Sequence, residues 1–241
     1  MAVCKFDYAL VHESYNPLFN EAGDILNEIE AAVSPPFNPA KENVFRVFAG
    51  GLDQTKVVIL GQDPYPDPAA ATGRCFEVGY LKSFSEPFRQ VSLKNILRLI
   101  YSAYTGEDPY TPFSRVRELI KCGRFGIFPP DRLFEYWDTQ GVMLLNTYLT
   151  CSTGKPKSHR DIWTSFAKMA IEYISGARSD LFWFVWGIEA AAFLPYIKGG
   201  NIYVSRHPMM CSKKYDDDFL KNRCFFETME IINWTGAKKC L

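Results

Sequence analysis

Four short apolar segments constrain the fold of this chain more than any other feature of its sequence. Each is five to seven residues long and lacks the apolar–polar alternation of a strand with one exposed face. Strands that are covered on both faces have this composition, so the segments predict a buried, parallel sheet. They are Lys56–Gly61, Val142–Asn146, Leu181–Gly187 and Asn201–Ser205.

Helices are predicted between and around these strands. The clearest one runs from about Ser158 to Ser175, where apolar residues recur at helical spacing. Ser158 and Asp161 form a capping pattern at its start, and Gly176 follows as a stop signal. Further helices are predicted over Leu18–Ala32, Leu93–Ala103, Asp131–Thr139 and Phe219–Ile232.

Strands that alternate with helices indicate an α/β protein with right-handed crossovers. We therefore expect residues 1–241 to form a single three-layer α/β/α domain. Its centre is predicted to be a four-stranded, mainly parallel, twisted sheet. In such sheets, ligands bind at the carboxyl ends of the strands.

Composition excludes several classes of protein. Aromatic residues make up 15% of the chain, and a disordered sequence is poor in them. No apolar run reaches the ~18 residues of a membrane-spanning helix. The N-terminal residues lack the basic and apolar regions of a secretory signal. We therefore expect an intracellular protein, cytoplasmic or nuclear, that does not bind a membrane.

The cysteine and histidine content argues against metal chemistry. The seven cysteines are scattered and include no C-x-x-C pair, which is typical of reduced thiols and not of a disulfide framework or a cysteine-bound metal. With three histidines in the chain, a histidine-based metal centre is not expected. The formal net charge is zero, which disfavours a protein that coats nucleic acid. It is compatible with one that grips a short stretch of backbone through hydroxyls and amides.

Polar side chains stand at the ends of three of the predicted strands. Asp63 follows the first strand, in a loop that Pro64, Pro66 and Pro68 stiffen. Asn146 ends the second strand, and His207 follows the fourth. Each has a plainer interpretation by itself: a solvated turn carboxylate, a helix-capping amide, or a structural imidazole beside a proline.

Together these three side chains suggest a reaction centre. A carboxylate, an amide and an imidazole would project from parallel strands into one crevice. Such a set suits the hydrolysis of a bond to a heterocycle. The amide can form hydrogen bonds with a planar ring, and the carboxylate and the imidazole can stabilise the charges that develop.

Three motifs in order along the chain resemble those of family 1 uracil-DNA glycosylases. GQDPYP at Gly61–Pro66 resembles the family's G-Q-D-P-Y-H, and GVMLLNTYLT at Gly141–Thr150 resembles G-V-L-L-L-N-T-x-L-T. His207-Pro208 resembles the start of H-P-S-P-L-S. KSHRDIWTSF and FVWG are similar to two further segments, so that the resemblance covers residues 43–234.

The resemblance implies hydrolysis of the glycosidic bond of a flipped-out deoxyuridine in DNA, as in base-excision repair, without a metal or an organic cofactor. The catalytic residues would be Asp63, which stabilises the sugar cation and positions water, and His207, which donates to uracil O2. Asn146 would read the uracil edge, and Tyr65 would exclude the methyl group of thymine. The uracil-binding residues implied in this way are Gln62, Tyr65, Phe76 and Asn146.

A second set of positions would hold the DNA. The resemblance places Ser92 and Ser212 at phosphates, although each could equally be a helix cap. In place of the family's serine, proline and intercalating leucine, this chain has Met209, Met210 and Cys211. We expect these side chains to form an apolar wedge that enters the base stack of DNA. The alternative is that they fill space in the protein core. The complete set is Pro66, Ser92, Gly187, Pro208, Met209, Met210, Cys211 and Ser212.

The sequence departs from the family pattern mainly on the DNA side. Pro66 replaces a histidine and Ile188 replaces a serine, so weaker or altered duplex binding is expected. Lys213–Asp218 carries three acids where DNA should lie. The connection Tyr104–Pro130 is interpreted as an insertion: a partner surface, a DNA-side element, or a plain surface excursion.

The expected partner is uracil-containing DNA, single- or double-stranded, and a proteinaceous inhibitor that mimics DNA is a further candidate. We expect a monomer. Two other functions stay open at this stage. One is a glycosylase-shaped DNA-binding or replication scaffold with weak or no catalysis, and the other is an α/β hydrolase acting on free nucleosides.

Overall fold

A computed structural model describes residues 6–237 of the chain. Cys4 and Cys240, two of the cysteines expected to be reduced, lie outside the described residues. The other five cysteines are free thiols. No helix within residues 6–237 has the length and apolar character needed to cross a membrane.

Within the described residues, six strands form two sheets. The central sheet has the order β3-β2-β5-β6 and every neighbouring pair in it is parallel, which confirms the predicted fold class. The two shortest strands pair antiparallel as a separate ribbon. The strands are β1 (Phe37–Asn38), β2 (Val57–Gly61), β3 (Val142–Asn146), β4 (Cys151–Ser152), β5 (Phe182–Trp186) and β6 (Asn201–Ser205).

Helices cover both faces of the central sheet. The α-helices are α1 (Asn16–Glu21), α2 (Gly23–Ala32), α3 (Val91–Thr105), α4 (Phe113–Lys121), α5 (Pro130–Thr139), α6 (Arg160–Ala177), α7 (Ile188–Ala191) and α8 (Cys224–Thr228). Short 3-10 helices span Glu13–Tyr15, Lys41–Asn43, Arg46–Phe48, Leu52–Gln54, Leu194–Tyr196 and Phe219–Lys221.

The uniform apolar character of β2 follows from its two packed faces. Successive side chains of a strand point to opposite faces of the sheet. Val57 and Ile59 pack into the core that α3, α4, α5 and α8 complete. Val58 and Leu60 pack into the second core, under α1, α2 and α6. Helix packing on both faces therefore produces the three layers.

β6 corrects one expectation, because it was predicted to be covered on both faces. It lies at the edge of the sheet, and its Ile202 and Val204 side chains remain 42% and 50% exposed. A strand with one neighbour extends past the helices that cover the centre, so an apolar run by itself does not prove burial.

The start and the end of α6 also differ from the prediction. The Ser158 hydroxyl accepts a hydrogen bond from the Ser152 backbone N–H at 2.7 Å, and His159 occupies the N-cap position. Gly176 lies inside the helix, which continues to Ala177. Packing of the long apolar face outweighs the modest helix penalty of one glycine.

Two other predicted helices are interrupted. The segment predicted over residues 18–32 divides into α1 and α2 at Ala22. The segment predicted over 219–232 contains a 3-10 turn and the short α8, because Asn222 is extended between them. The Asn222 side chain holds this break, donating to the Val204 carbonyl at 3.2 Å and accepting from the Cys224 N–H at 2.9 Å.

The connection 104–130 is not a plain surface excursion. It contains α4, which packs against α3. Its buried residues Val116, Leu119 and Phe125 belong to the core under α3 and α5. The connection is therefore part of the folded domain, and its packing can restrain the position of the segments that contact it.

Candidate active site

A cavity of about 550 Å³ opens at the carboxyl ends of the central strands. Parallel pairing aligns these ends: Gly61 is in register with Asn146, and Trp186 with Ser205. The loops that leave the strands therefore meet around one space. Of the residues predicted for the site, the cavity is lined by Gln62, Asp63, Tyr65, Pro66, Phe76, Ser92, Asn146, Gly187, His207, Met209 and Met210.

Two hydrogen bonds hold the Asp63 carboxylate. Oδ1 accepts from Nε2 of Gln62 at 2.6 Å, and Oδ2 accepts from the backbone N–H of Lys157 at 2.6 Å. Burial raises the pKa of Asp63, and these two hydrogen bonds and the charge of Lys157 oppose that rise. The carboxylate thus has a set orientation, and its pKa lies above the ordinary value because the effect of burial exceeds that of the donors and the charge.

Asn146 presents a buried amide to the cavity. The residue is 3% exposed and lines the cavity. Gly61 makes room for it, because a Cβ at position 61 would lie 2.5 Å from Oδ1 of Asn146. A side-chain amide offers both a donor and an acceptor to a planar ligand in the cavity.

His207 lies across the cavity as a neutral imidazole. Its Nδ1 accepts the Met209 backbone N–H at 3.2 Å, so that the ring proton of the neutral form stands on Nε2. Burial lowers the pKa of His207, and the charge of Lys157 lowers it further. Gly187 allows this approach, because a Cβ there would lie 2.8 Å from Cβ of His207.

Aromatic rings close the inner part of the cavity. Phe76 lies 5.7 Å from the Trp186 ring and 6.1 Å from the His207 ring, measured between centroids. Its φ is +63°, a left-handed conformation that a phenylalanine adopts at a cost. Burial raises the pKa of Tyr65, so its phenol stays protonated.

The charged residues at the cavity that were not predicted from the sequence include Lys157 and Glu189. Nζ of Lys157 lies 2.9 Å from Oε1 of Glu189, which Arg160 also approaches at 3.5 Å. The Tyr148 hydroxyl donates to the other carboxylate oxygen of Glu189. The position of Lys157 in the KSHRDIW segment was the available signal, but its contact with Asp63 joins residues 94 positions apart.

Residues predicted to contact DNA divide into two groups. Met209 and Met210 line the cavity and are 58% and 55% exposed, as a wedge requires. Cys211 instead packs partly buried against the core, and its thiol donates to the Pro208 carbonyl. The Ser212 N–H donates a hydrogen bond to Asp218. Cys211 and Ser212 therefore stabilise the loop and do not line the cavity.

Ser92 is not a helix cap. Gln90 holds the N-cap position of α3, and Ser92 is the second residue of that helix, at the rim of the cavity. The hydroxyl is therefore placed where a ligand in the cavity can reach it.

The prediction that three acids of residues 213–218 face DNA is wrong for Asp218. This carboxylate is fully buried and accepts hydrogen bonds from the Tyr110 hydroxyl and from the N–H groups of Ser212 and Leu220. Asp217 pairs with Arg206 at 2.7 Å. The main effect of Asp217 and Asp218 is therefore to stabilise the loop through these contacts, and not to repel a ligand.

Across residues 6–237, histidine, cysteine, aspartate and glutamate side chains form no group of three or more that could hold a metal ion. The polar side chains that line the cavity include the Asp63 carboxylate, the His207 imidazole and the Asn146 amide, together with Lys157 and Glu189.

Comparison with known proteins places these features in a family context. The family model of the uracil DNA glycosylase superfamily matches residues 48–230. The uracil-DNA glycosylase of Thermobifida fusca is 31% identical over 90% of this chain and 84% of its own length. The wild-type UNG crystal structure from Nitratifractor salsuginis superposes with a TM-score of 0.71 at 21% identity, covering 93% of this chain and 94% of that one. Mimivirus UNG Y322L in complex with UGI gives 0.61 at 23% identity, over 83% and 71% of the two chains.

Proposed function

The chain belongs to the uracil DNA glycosylase superfamily, and on that basis we propose that it is a family 1 uracil-DNA glycosylase. It hydrolyses the N-glycosidic bond of a flipped-out deoxyuridine and leaves free uracil and an abasic site in the DNA. The observation that carries the proposal is the arrangement of Asp63, Asn146 and His207 around one cavity. The reaction is monofunctional and belongs to base-excision repair.

Asn146 recognises the base. Its amide accepts from N3–H and donates to O4 of uracil, and an oriented bidentate contact of this kind contributes about 1–3 kcal/mol of discrimination. Cytosine reverses the donor and the acceptor at these positions and would leave the buried amide unpaired. Sites that leave polar groups unpaired reject a near-isostere strongly. Extrusion of the base costs a few kcal/mol, and less when it is mispaired or single-stranded.

Tyr65 and Phe76 recognise the shape of the base. The Tyr65 ring excludes the C5 methyl group of thymine, and the Phe76 ring stacks on the uracil plane. Stacking of a base on an aromatic side chain contributes about 1–3 kcal/mol. The left-handed backbone of Phe76 supports this role, because strained conformations concentrate at functional sites. Gln62 completes the uracil-binding set by orienting Asp63.

Bond cleavage separates charge between the sugar and the base. The glycosidic bond breaks toward an oxocarbenium-like cation, which the ionised Asp63 stabilises while it positions the attacking water. Uracil leaves as an anion, and the Nε2–H of His207 donates to its O2 as negative charge develops there. Water then adds to the sugar carbon and passes its proton to the Asp63 carboxylate, and the uracil anion takes up a proton from solvent as it leaves. A neutral imidazole suits this task, because it donates from Nε2 without adding a buried charge.

The DNA-side residues bind the strand around the flipped nucleotide. Ser92, Pro66 and Gly187 line the cavity, and the DNA backbone passes at its rim. Met209 and Met210 enter the gap that the base leaves, since apolar side chains can wedge between base steps. Pro208, Cys211 and Ser212 support this wedge. We also propose a monomer, and an inhibitor protein that mimics DNA as a competitor for the same rim.

Uracil release from matched single- and double-stranded oligonucleotides, with thymine and cytosine controls, tests the proposal. We expect release of uracil alone, a loss of on the order of 10²–10³-fold in kcat for Asp63→Asn, and weaker uracil discrimination for Asn146→Ala. Asp67→Asn is the matched control, because this acid lies in the same proline-rich loop on the exposed side. No release from either substrate by the folded protein would contradict the proposal.

The altered DNA-side loop motivates one alternative, a DNA-binding scaffold with weak catalysis. Ile188 is 87% exposed where the family has a serine. In that case the protein would bind DNA without releasing uracil. Release from free deoxyuridine but not from DNA would indicate a nucleoside hydrolase instead.

A further inference from the structure

The connection 104–130 is tied to the segment that carries His207. We call residues 206–218 the His207 loop; it holds the catalytic imidazole, Met209 and Met210. Two separate sets of hydrogen bonds join the connection to this loop. Neither set touches the cavity itself, so neither belongs to the groups that handle the base.

The first tie runs from Tyr110 to Asp218. The Tyr110 hydroxyl donates to Oδ1 of Asp218 at 2.8 Å. Asp218 is fully buried, and the N–H groups of Leu220 and Ser212 donate to its two oxygens at 3.0 and 2.6 Å. A buried carboxylate needs each of its donors, because a missing one leaves desolvated charge uncompensated.

The second tie runs through Arg98 and Asn95 of α3. Nε of Arg98 donates to the Thr111 carbonyl at 2.8 Å, and Nη1 donates to Oδ1 of Asn95 at 2.8 Å. Nδ2 of the buried Asn95 then donates to the Pro208 carbonyl at 2.6 Å. Thr111 of the connection is thereby linked to the residue between His207 and Met209.

A third contact lies at the surface above the first tie. Nζ of Lys213, in the His207 loop, is 4.9 Å from the centre of the Tyr110 ring and 3.1 Å from Oδ2 of Asp108. Tyr110 is therefore held both by its hydroxyl and by its ring. The connection contacts the loop at its beginning, near Pro208, and at its end, near Asp218.

We propose that Tyr110 and Arg98 are positioning residues for duplex DNA: they fix the His207 loop so that Met209 and Met210 stand where they can enter the base stack. The inference rests on the proposed function of the cavity and assigns the connection a role in that function. The connection then acts through the wedge and has no contact with the base.

Single- and double-stranded DNA separate this role from a purely structural one. In a duplex, the wedge must replace the stacking and pairing that the flipped base gives up. In a single strand there is no stack to enter, so an exact position of Met209 and Met210 matters less. Loosening the loop therefore raises the KM for duplex substrate selectively, whereas a general loss of folded protein lowers activity on both substrates equally.

The test compares Tyr110→Phe with the unchanged protein on matched single- and double-stranded uracil oligonucleotides. A hydrogen bond to a charged group is equivalent to about a tenfold change in an equilibrium constant. We expect the KM for duplex to rise about tenfold and kcat on the single strand to stay within about twofold. Arg98→Lys, which keeps the charge but loses the forked contact, should change the same ratio in the same direction. Tyr104→Phe is the matched control, because its hydroxyl accepts from Trp234 and not from the His207 loop.

A double-mutant cycle decides whether Tyr110 acts through the wedge. In a Met209→Ala/Met210→Ala background, Tyr110→Phe should have no further effect on the duplex KM, because residues that act through one element are not additive. An equal loss on both substrates, an unchanged duplex-to-single-strand ratio, or full additivity would overturn the inference.

If the unchanged protein releases no uracil, the proposed function fails by itself. The same variants are then compared by fluorescence anisotropy on undamaged duplex and single strands. A Kd that rises for duplex but not for single strands supports the inference, and an unchanged ratio of the two Kd values overturns it.

Discussion

The backbone N–H of Lys157 donates a hydrogen bond of 2.6 Å to Oδ2 of Asp63. The φ of Lys157 is +62°, a left-handed conformation that a lysine adopts at a cost in backbone energy. The ammonium group of the same residue pairs with Glu189 at 2.9 Å. Lys157 therefore combines an oriented donor with a positive charge near both proposed catalytic groups.

The pH dependence of kcat/KM should show an acidic limb between pH 3.8 and 6.5. Catalysis needs an ionised Asp63, whose pKa burial raises above the ordinary 3.8, and a neutral His207, whose pKa burial lowers below 6.5. Both groups reach their active forms as pH rises, so activity increases with pH through this window and then levels off. Rates measured from pH 3 to 9 check this, and a limb above pH 6.5 would contradict it.

Lys157→Met should move the acidic limb to higher pH. The Lys157 charge lowers the pKa of Asp63 and that of His207, so its removal raises both, whichever group sets the limb. The Glu189 carboxylate left without its lysine adds to the rise for Asp63. The backbone donor is retained, so activity on the alkaline plateau should fall less than activity at pH 5. Lys155→Met, an exposed neighbour, is the control, and a limb that stays in place or moves lower would argue against the assignment.

Gly61→Ala should damage the base-binding amide and the fold together. The new Cβ would overlap Cβ of Cys75 and lie 2.5 Å from Oδ1 of Asn146. Overpacking costs about 1–3 kcal/mol of unfolding free energy, and a displacement of a positioned group by about 1 Å can cost on the order of 10²-fold in rate. Denaturant unfolding and kcat/KM measure the two effects. Gly23→Ala, where no atom lies within 4 Å of the new Cβ, should change neither.

Tyr65→Ala should admit thymine to the cavity. The ring of Tyr65 lines the wall that faces C5 of the proposed base, and its removal takes away the clash with a methyl group. A closed pocket discriminates one methyl group by about 10–200-fold, so the preference for uracil over thymine should fall by a factor in this range. Release of thymine from a matched duplex checks it. Tyr80→Phe, on the exposed surface, should leave the preference intact.

The affinity for DNA should depend only weakly on salt. The formal net charge is zero, and several cations near the cavity are paired, including Lys157 with Glu189 and Arg206 with Asp217. We expect a plot of log affinity against log salt to be shallower than the slope of about −7 that eight neutralised phosphates would give. Titrations of undamaged duplex, which the protein cannot cleave, measure the slope, and a value of about −7 or steeper would show a larger phosphate contact than this surface suggests.

The central strands could be predicted because helices pack on both faces of most of them. Val57 to Leu60 alternate between two cores, so every position is apolar and the run stands out in the sequence. β6 has the same pattern without the same burial, because an edge position is a property of the assembled sheet. Helix boundaries were less predictable, as the break at Asn222 depends on its hydrogen bond to Val204.

The site residues could be predicted where a chemically reactive side chain stands at the end of a predicted strand. Asp63, Asn146 and His207 stand at or just after the ends of strands of the central sheet, and the parallel register brings them together. Lys157 and Glu189 were missed because their contacts depend on how two loops meet across the cavity. Phe76 was expected at the base, but its left-handed backbone has no signature in the residue type.

The amino-acid sequence by itself determined the parallel α/β architecture and the identities of the groups at its strand ends, since both follow from local apolar pattern and residue chemistry. Tertiary structure alone decided that Asp218 is buried and that Tyr110 and Arg98 brace the His207 loop. The same applies to the burial that raises the pKa of Asp63 and to the Lys157 backbone donor that opposes this rise. These properties arise from groups far apart in the chain, and their burial and charge take effect only when packing brings them into contact and excludes water.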